Sequence, residues 1–368
     1  MKILRRVLAA FFVLVLLAIA AGAILFGHNS PCPAPTAAAP GAQRMQALLR
    51  RCYGSLAVVH AEQTARPAPG PAEVLVRVRA ASVNPLDWHY VHGTPYLMRA
   101  DTGLGAPGDP RLGVDFSGTV EAVGDQVTRF HPGDEVFGGR LGAFAQYLVV
   151  PENRTIVAKP ANVAFADAAA VPIAALTALQ ALRDKGQVAR GQKVLVNGAS
   201  GGVGTFAVQL ARYFGAEVTA VCSGRSAALV QGLGADHVID YTREDFTQGT
   251  GRYDLIIDTV GSHGLLEYRR VMPPNGRLVI VGGPSNGNWV GPLAAPLRAM
   301  ALSPFVSQHF MPFLAELKPQ DLQFLASLLE HGELRVVIDR HYTLDELPAA
   351  LAYLEQGHAH GKVVIDVP

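Results

Sequence analysis

Lys193-Val-Leu-Val-Asn197 followed at once by Gly198-Ala-Ser-Gly-Gly-Val-Gly204 is the stretch on which the reading of this chain turns. A continuous apolar run reads as a buried strand, and the glycines follow it directly. Beyond them Val203, Phe206, Ala207, Leu210 and Phe214 recur at helical spacing and stop at Gly215. Strand, glycine loop and helix in that order imply a dinucleotide site. Gly198 permits the tight turn, Gly201 and Gly202 admit a pyrophosphate, and Gly204 lets helix and strand approach. The helix start adds free N–H groups and partial positive charge. The whole cradle, Gly198, Ala199, Ser200, Gly201, Gly202, Val203 and Gly204, is therefore read as cofactor-binding.

Further along, strand candidates at 217–223, 237–241, 254–260 and 277–282 alternate with helix-length segments. That alternation is the pattern of a doubly wound parallel sheet, an α/β fold. The second strand ends in Cys222-Ser223-Gly-Arg225-Ser226, with no acid for a ribose 2′-hydroxyl. A hydroxyl and a guanidinium suit a 2′-phosphate, so Ser223 and Arg225 point to NADP, with NADPH favoured over NADH. Upstream, from Cys52 to Val150, the signal changes to short strands and turns. Glu73-Val-Leu-Val-Arg-Val-Arg-Ala80, Phe116 to Gly124, and Glu135 to Phe137 after the His131-Pro-Gly-Asp134 turn suggest a rolled β-barrel. Thr343-Leu-Asp-Glu346 forms a capping box, and Gly361-Lys-Val-Val-Ile-Asp366 closes the chain as a strand.

The chain has 368 residues, enough for two domains. Its 31 basic and 30 acidic residues leave no positive excess for nucleic acid. Nearly half the residues are hydrophobic, which excludes disorder. Cys32, Cys52 and Cys222 form no Cys-x-x-Cys pair and are read as free thiols, with a single disulfide left open. Val7 to Phe26 is an uncharged, mostly apolar run behind Lys2, Arg5 and Arg6. As a helix it would span about 30 Å, the hydrocarbon thickness of a bilayer. One N-terminal transmembrane helix is therefore expected through residues 7–26, anchoring the protein in a bacterial inner membrane, with the side open and cleavage kept alive by Ala-x-Ala patterns. The expected organisation is an anchor at 1–28, a Pro/Ala-rich linker at 29–51, a barrel domain at 52–175, a dinucleotide domain at 176–330, and a return to the barrel at 331–368.

Several segments together carry a family resemblance. Asn84-Pro-Leu-Asp87-Trp88, Leu112-Gly-Val-Asp115-Phe-Ser-Gly118, Gly133-Asp-Glu-Val-Phe-Gly138 and Gly142-Ala-Phe-Ala-Gln-Tyr147 precede the glycine loop. Leu233-Gly-Ala-Asp-His-Val-Ile-Asp-Tyr241 and Tyr253-Asp-Leu-Ile-Ile-Asp-Thr-Val-Gly261 follow it. Over residues 55–368 the chain resembles the zinc-independent, quinone oxidoreductase-like branch of the medium-chain dehydrogenase/reductases. The resemblance implies a GroES-like catalytic barrel, a Rossmann domain, and NADPH-dependent reduction of quinones, enones or related lipophilic carbonyls; it is compatible with a homodimer. It also implies cofactor contacts at Thr177, Tyr241, Val260, Gly261, Gly282 and Gly283. The closing run from His358 to Lys362 matches the family without a role being assigned.

Zinc-using relatives carry a cysteine where Asn84 stands and Gly-His-Glu where Gly113-Val114-Asp115 stands. Valine ligates nothing and asparagine is a poor zinc ligand, so no metal is expected. His89 and His92, spaced by three, lack a third ligand. Without metal, donors must face the substrate oxygen as it gains charge. Asn84, His89 and Tyr96 are the expected donors, with Asp87 orienting one of them or hydrogen-bonding the cofactor. The apolar insertion from Asn286 to Pro312 is read as core, substrate lid, subunit interface or membrane-facing surface. Two functions stay open: an NADPH-dependent reductase, and a membrane-associated NADP(H)-binding scaffold or sensor with little turnover.

Overall fold

The computed structural model describes residues 12, 17, 20–35, 41–283, 287–289, 291, 297–299 and 302–368. The first strands, β1 (Arg44–Arg50) and β2 (Val59–Ala65), pair antiparallel, and β1 occupies the end of the stretch expected as linker. β1 is held because Ala47, Leu48 and Leu49 are buried against the barrel. Along β3 (Glu73–Val83), Val74, Val76 and Val78 face the core while Arg77 and Arg79 face water, the alternation a half-buried strand requires. β4 (Asp115–Val123), β5 (Glu135–Gly139), β6 (Tyr147–Pro151) and β7 (Ile156–Ala158) complete the barrel's first pass. Between β3 and β4 lies the helix α1 (Pro85–His92), opened by Asn84 and closed by Gly93 at φ 62°.

Helix α2 (Pro172–Gln180) leads into the second domain with nearly every side chain buried. There β8 (Lys193–Asn197), β9 (Glu217–Cys222), β10 (His237–Asp240), β11 (Leu255–Asp258), β12 (Arg277–Ile280) and β13 (His309–Pro312) form a six-stranded parallel sheet in the order β10-β9-β8-β11-β12-β13. This is the doubly wound order, with its crossover point between β8 and β11. Helix α3 (Gly202–Tyr213) follows the glycine loop and packs Phe206, Ala207, Leu210 and Ala211 into the core. After the sheet, α4 (Pro319–Glu330) leads back to the barrel. There β14 (Ile338–Thr343) and β15 (Lys362–Asp366) extend the barrel sheet, β15 pairing antiparallel with β3. The expected capping box is present: Glu346 accepts from Thr343 N at 2.8 Å, ahead of α5 (Leu347–Glu355).

Two expectations are corrected. Most of the segment expected to cross a membrane, residues 7–11, 13–16, 18 and 19, lies outside the described residues. Among the described residues no helix is long and apolar enough to cross a membrane. The part that is described ends on protein. Arg99, almost fully buried, donates through Nη1 to the carbonyls of Phe26 and His28 at 2.8 and 2.9 Å, and Ser30 N donates to Gly105 O. The transmembrane helix and the membrane-anchored location are therefore not carried further. Second, Cys32 and Cys52 are joined in a disulfide, so only Cys222 is a free thiol. The proline-rich stretch reads in sequence as an extended linker; the contacts of His28 with Arg99 and of Ser30 with Gly105 hold its start on the fold, beside the Cys32–Cys52 bond.

Within the insertion, Trp289, Leu297 and Phe305 are exposed, Leu302 packs on the sheet's core, and Phe310 is buried in β13. Leu293 and Met300 lie outside the described residues.

Candidate active site

The glycine loop has the shape its sequence requires. Gly198 sits at φ 82°, a region L side chains avoid, and Ala199 N and Gly198 N both donate to Val221 O. A Cβ on Gly204 would collide with the carbonyl oxygen of Gly198, which is how helix and strand come so close. A Cβ on Gly201 would meet only Gly198 O at 3.5 Å, leaving an open cradle above the start of α3. Ser200 contributes its carbonyl, which accepts from Gly361 N at 2.8 Å, and Val203 lies in the first turn of the helix that Gly202 opens. A dinucleotide pyrophosphate fits this cradle.

The expected contacts around it gather at the carboxyl ends of the strands. Val260 and Gly261 follow β11, their N–H groups held by Asp258 Oδ1 at 3.1 and 3.0 Å. Gly282 follows β12 so closely packed that a Cβ would strike Thr259 O, and Gly283 comes next. Tyr241 is exposed after β10. Ser223 and Arg225 follow β9, and the Arg225 guanidinium takes no protein partner among the described residues. Thr177 is nearly buried on α2 and its hydroxyl donates to Ile173 O at 2.6 Å, so it can offer an incoming group only an acceptor.

On the barrel side, Asn84 and Asp87 belong to a buried cluster with two residues that the sequence reading left without a role. Lys362, from the start of β15, donates to Asn84 Oδ1 at 2.6 Å and to Val83 O at 3.1 Å. Its Nζ lies 3.6 Å from Asp115 Oδ2. Asn84 Nδ2 donates to that same oxygen at 2.9 Å, joined by Ser82 Oγ, while Ile173 N donates to Asp115 Oδ1 at 3.0 Å. Asp87 Oδ2 accepts from Asn84 N at 2.7 Å, and Asp87 Oδ1 is buried without a partner. Burial pushes the Asp87 carboxyl up to about 7, offset in part by the Asn84 N–H. Burial raises Asp115 as well, opposed first by Lys362, and lowers Lys362, opposed first by Asp115. The signals were present in sequence: Asp115 in Gly-Val-Asp and Lys362 in the closing Gly-Lys. Their contact joins positions 247 residues apart, which no local pattern encodes.

His89 and Tyr96 are not part of this hydrogen-bonded cluster. His89 Nδ1 lies 2.8 Å from Thr94 O, which can only accept, so the ring carries its proton on Nδ1. Burial holds His89 below the usual histidine range, leaving Nε2 an acceptor. It is not the donor the sequence suggested. Tyr96 stands at the domain seam, edge-on to Trp289 with centroids 5.2 Å apart, its N–H bonded to Asn288 O and its ring under the Arg99 guanidinium. His92 turns away from His89 to Gly54 O and Glu355.

Comparison with known proteins bears on the family and the fold. The alcohol dehydrogenase GroES-like domain matches residues 70–161, and the zinc-binding dehydrogenase domain matches residues 233–365. A chloroplast envelope quinone oxidoreductase homolog of Arabidopsis thaliana is 32% identical over 88% of this chain and 98% of its own length. The mitochondrial NAD(P)H oxidoreductase RTN4IP1 of Homo sapiens is 35% identical over 81% of this chain and 82% of its own. The structure of the quinone oxidoreductase from Coxiella burnetii superposes with a TM-score of 0.77 at 29% identity, covering 89% of this chain and all of that one.

Proposed function

Since the chain belongs to the quinone oxidoreductase-like branch of the medium-chain dehydrogenase/reductases, we propose that this oxidoreductase passes a hydride from NADPH to a quinone or enone without zinc. The observation that carries the reading is Lys362. Its ammonium group lies between the glycine loop, where its stem would meet a Cβ on Gly202 at 3.0 Å, and the amide of Asn84.

Zinc does not fit this donor set. Val114 carries no ligand atom, and both ends of the Asn84 amide are engaged. The cation beside Asp115 is already the Lys362 ammonium, which would repel a divalent ion. A nicotinamide dinucleotide does fit, its pyrophosphate in the glycine cradle, and when bound it would supply the hydride. The chain's own groups then hold and polarise the acceptor. Asn84 has one amide N–H left after its bond to Asp115, and Lys362 at its Oδ1 polarises that N–H. A donor so fixed stabilises the oxygen on which negative charge grows, at no cost in reorganisation. Asp87 sets the charge behind it: protonated, it leaves the Lys362–Asp115 pair neutral, and ionised, it adds a negative charge that opposes the one forming. The aromatic pair of Tyr96 and Trp289 at the seam favours a flat, lipophilic acceptor.

The preference for NADPH rests on Ser223 and Arg225. The acid at the neighbouring strand end, Asp240, has Oδ1 taken by Thr242 N and Oγ1 at 3.0 and 2.8 Å, while its Oδ2 faces Gly224, between Ser223 and Arg225, and lies 3.6 Å from the Arg243 guanidinium, which offsets its charge. The test is to follow NADPH and NADH absorbance in the full chain against a quinone, neutral enones and simple alcohols, with and without chelator. Chelator-insensitive oxidation of NADPH by conjugated carbonyls is expected. Chelator-sensitive alcohol oxidation would overturn the zinc-free reading. Tight NADPH binding with no turnover on any acceptor would replace the enzyme reading with a cofactor-binding one.

A further inference from the structure

The run from His360 to Lys362 lies along the whole cofactor track. Gly361 N donates to Ser200 O, and Gly361 pairs with Gly201 in the glycine loop. Lys362, one residue on, reaches Asn84. His360, one residue back, reaches the end of β9: its Nδ1 lies 2.8 Å from Ser226 Oγ. Ser226 is almost fully buried and its hydroxyl is 3.4 Å from that of Ser223. The His360 backbone is fixed independently, since His360 N donates to Asp339 Oδ2 at 3.0 Å and Tyr353 OH holds the same oxygen at 2.7 Å.

The carboxyl end of the second strand is where an open sheet meets the ribose nearest the adenine. We propose that His360, oriented by Ser226, is a specificity-determining residue that donates a hydrogen bond to a phosphate on that ribose. The barrel domain thereby supplies part of a phosphate site whose remaining groups, Ser223 and Arg225, belong to the dinucleotide domain. This rests on the NADPH reading given above and adds to it a residue from the opposite domain. With the Ser226 hydroxyl donating to Nδ1, the neutral imidazole carries its proton on Nε2. Among the described residues Nε2 takes no protein partner, so that donor is available to a ligand. Of the two carboxylates nearby, Asp339 is held by His360 N and Tyr353 OH, and Asp240, bonded to Thr242 through Oδ1, lies 3.6 Å from Arg243 Nε through Oδ2, which offsets its repulsion of a phosphate.

Calorimetric binding of adenosine 2′,5′-bisphosphate and of AMP to the full chain without nicotinamide isolates this end of the site. In wild type the bisphosphate is expected to bind more tightly. His360→Ala should weaken it about tenfold or more, the loss of one charge-assisted hydrogen bond, and change AMP less than about twofold. Ser226→Ala should shift the bisphosphate in the same direction by less, because it frees the ring without removing it. Equal weakening of both nucleotides, or no change in either, would overturn the role of His360 while leaving NADPH preference intact. Wild-type protein that binds the bisphosphate no better than AMP, and NADPH no better than NADH, would overturn the NADPH reading and this inference with it.

Discussion

Replacing Lys362 with methionine keeps most of the stem volume and removes the only ammonium in a fully buried cluster. Three interactions go: the bond to Asn84 Oδ1 at 2.6 Å, the bond to Val83 O at 3.1 Å, and the ion pair with Asp115 at 3.6 Å. Asp115 would remain with no solvent exposure and no cation. Breaking one side of such a pair costs about 3–5 kcal/mol, because the charge left behind cannot be hydrated. The cost should depend on pH. Without Lys362 the Asp115 carboxyl, already raised by burial, is raised further above its unfolded value. An acid raised in the folded state stabilises fully below its unfolded pKa, near 4, and that contribution is lost as pH rises through the folded pKa. Lys362→Met should therefore be less destabilised at pH 5 than at pH 8. Adding Asp115→Asn removes the stranded charge and should recover about 2 kcal/mol at pH 8, a coupling typical of directly bonded pairs. Urea unfolding followed by the fluorescence of Trp88 and Trp289 measures wild type, Lys362→Met, Asp115→Asn and the double variant. A loss under about 1 kcal/mol at both pH values, or a double variant no more stable than the single, would refute a buried, mutually dependent pair.

Two further outcomes follow from the same structure. Asp87, with its carboxyl pushed up to about 7, should make kcat/KM fall as pH rises through that value, because ionisation adds negative charge behind the substrate oxygen; Asp87→Asn, which keeps an acceptor for Asn84 N, should flatten the profile, and a fall that persists in the variant assigns it to another group. Replacing Cys32 and Cys52 with serine opens a cross-link between positions 20 residues apart and should cost about 3 kcal/mol by loop entropy, visible as an earlier urea midpoint, whereas an unchanged midpoint would mean that Arg99 and its carbonyl contacts hold the segment unaided.

Local pattern was enough for the elements that depend on neighbours in sequence. The apolar run at 193–197, the glycine spacing to Gly204 and the helical periodicity to Phe214 specify a strand, a turn and a helix through backbone sterics and amphipathicity alone, and β8 and α3 follow them. The β-branched run at 73–80 likewise encodes β3, and Thr343 with Glu346 encodes the cap of the last helix. Asn84 and Asp87 were legible as site candidates because they lie in one short motif. The N-terminal run was misread for the same local reason: hydropathy reports an apolar stretch, and cannot report that buried Arg99, more than 70 residues away, takes the carbonyls of Phe26 and His28. Only the tertiary structure could decide that His89 is an acceptor, since its tautomer depends on the Thr94 carbonyl. Only it could bring Lys362 to Asn84 and His360 to Ser226. A chain that leaves the barrel, builds a second domain and returns places its last strand across the first domain's site, and contacts of that kind are fixed by how two domains pack, not by any spacing along the sequence.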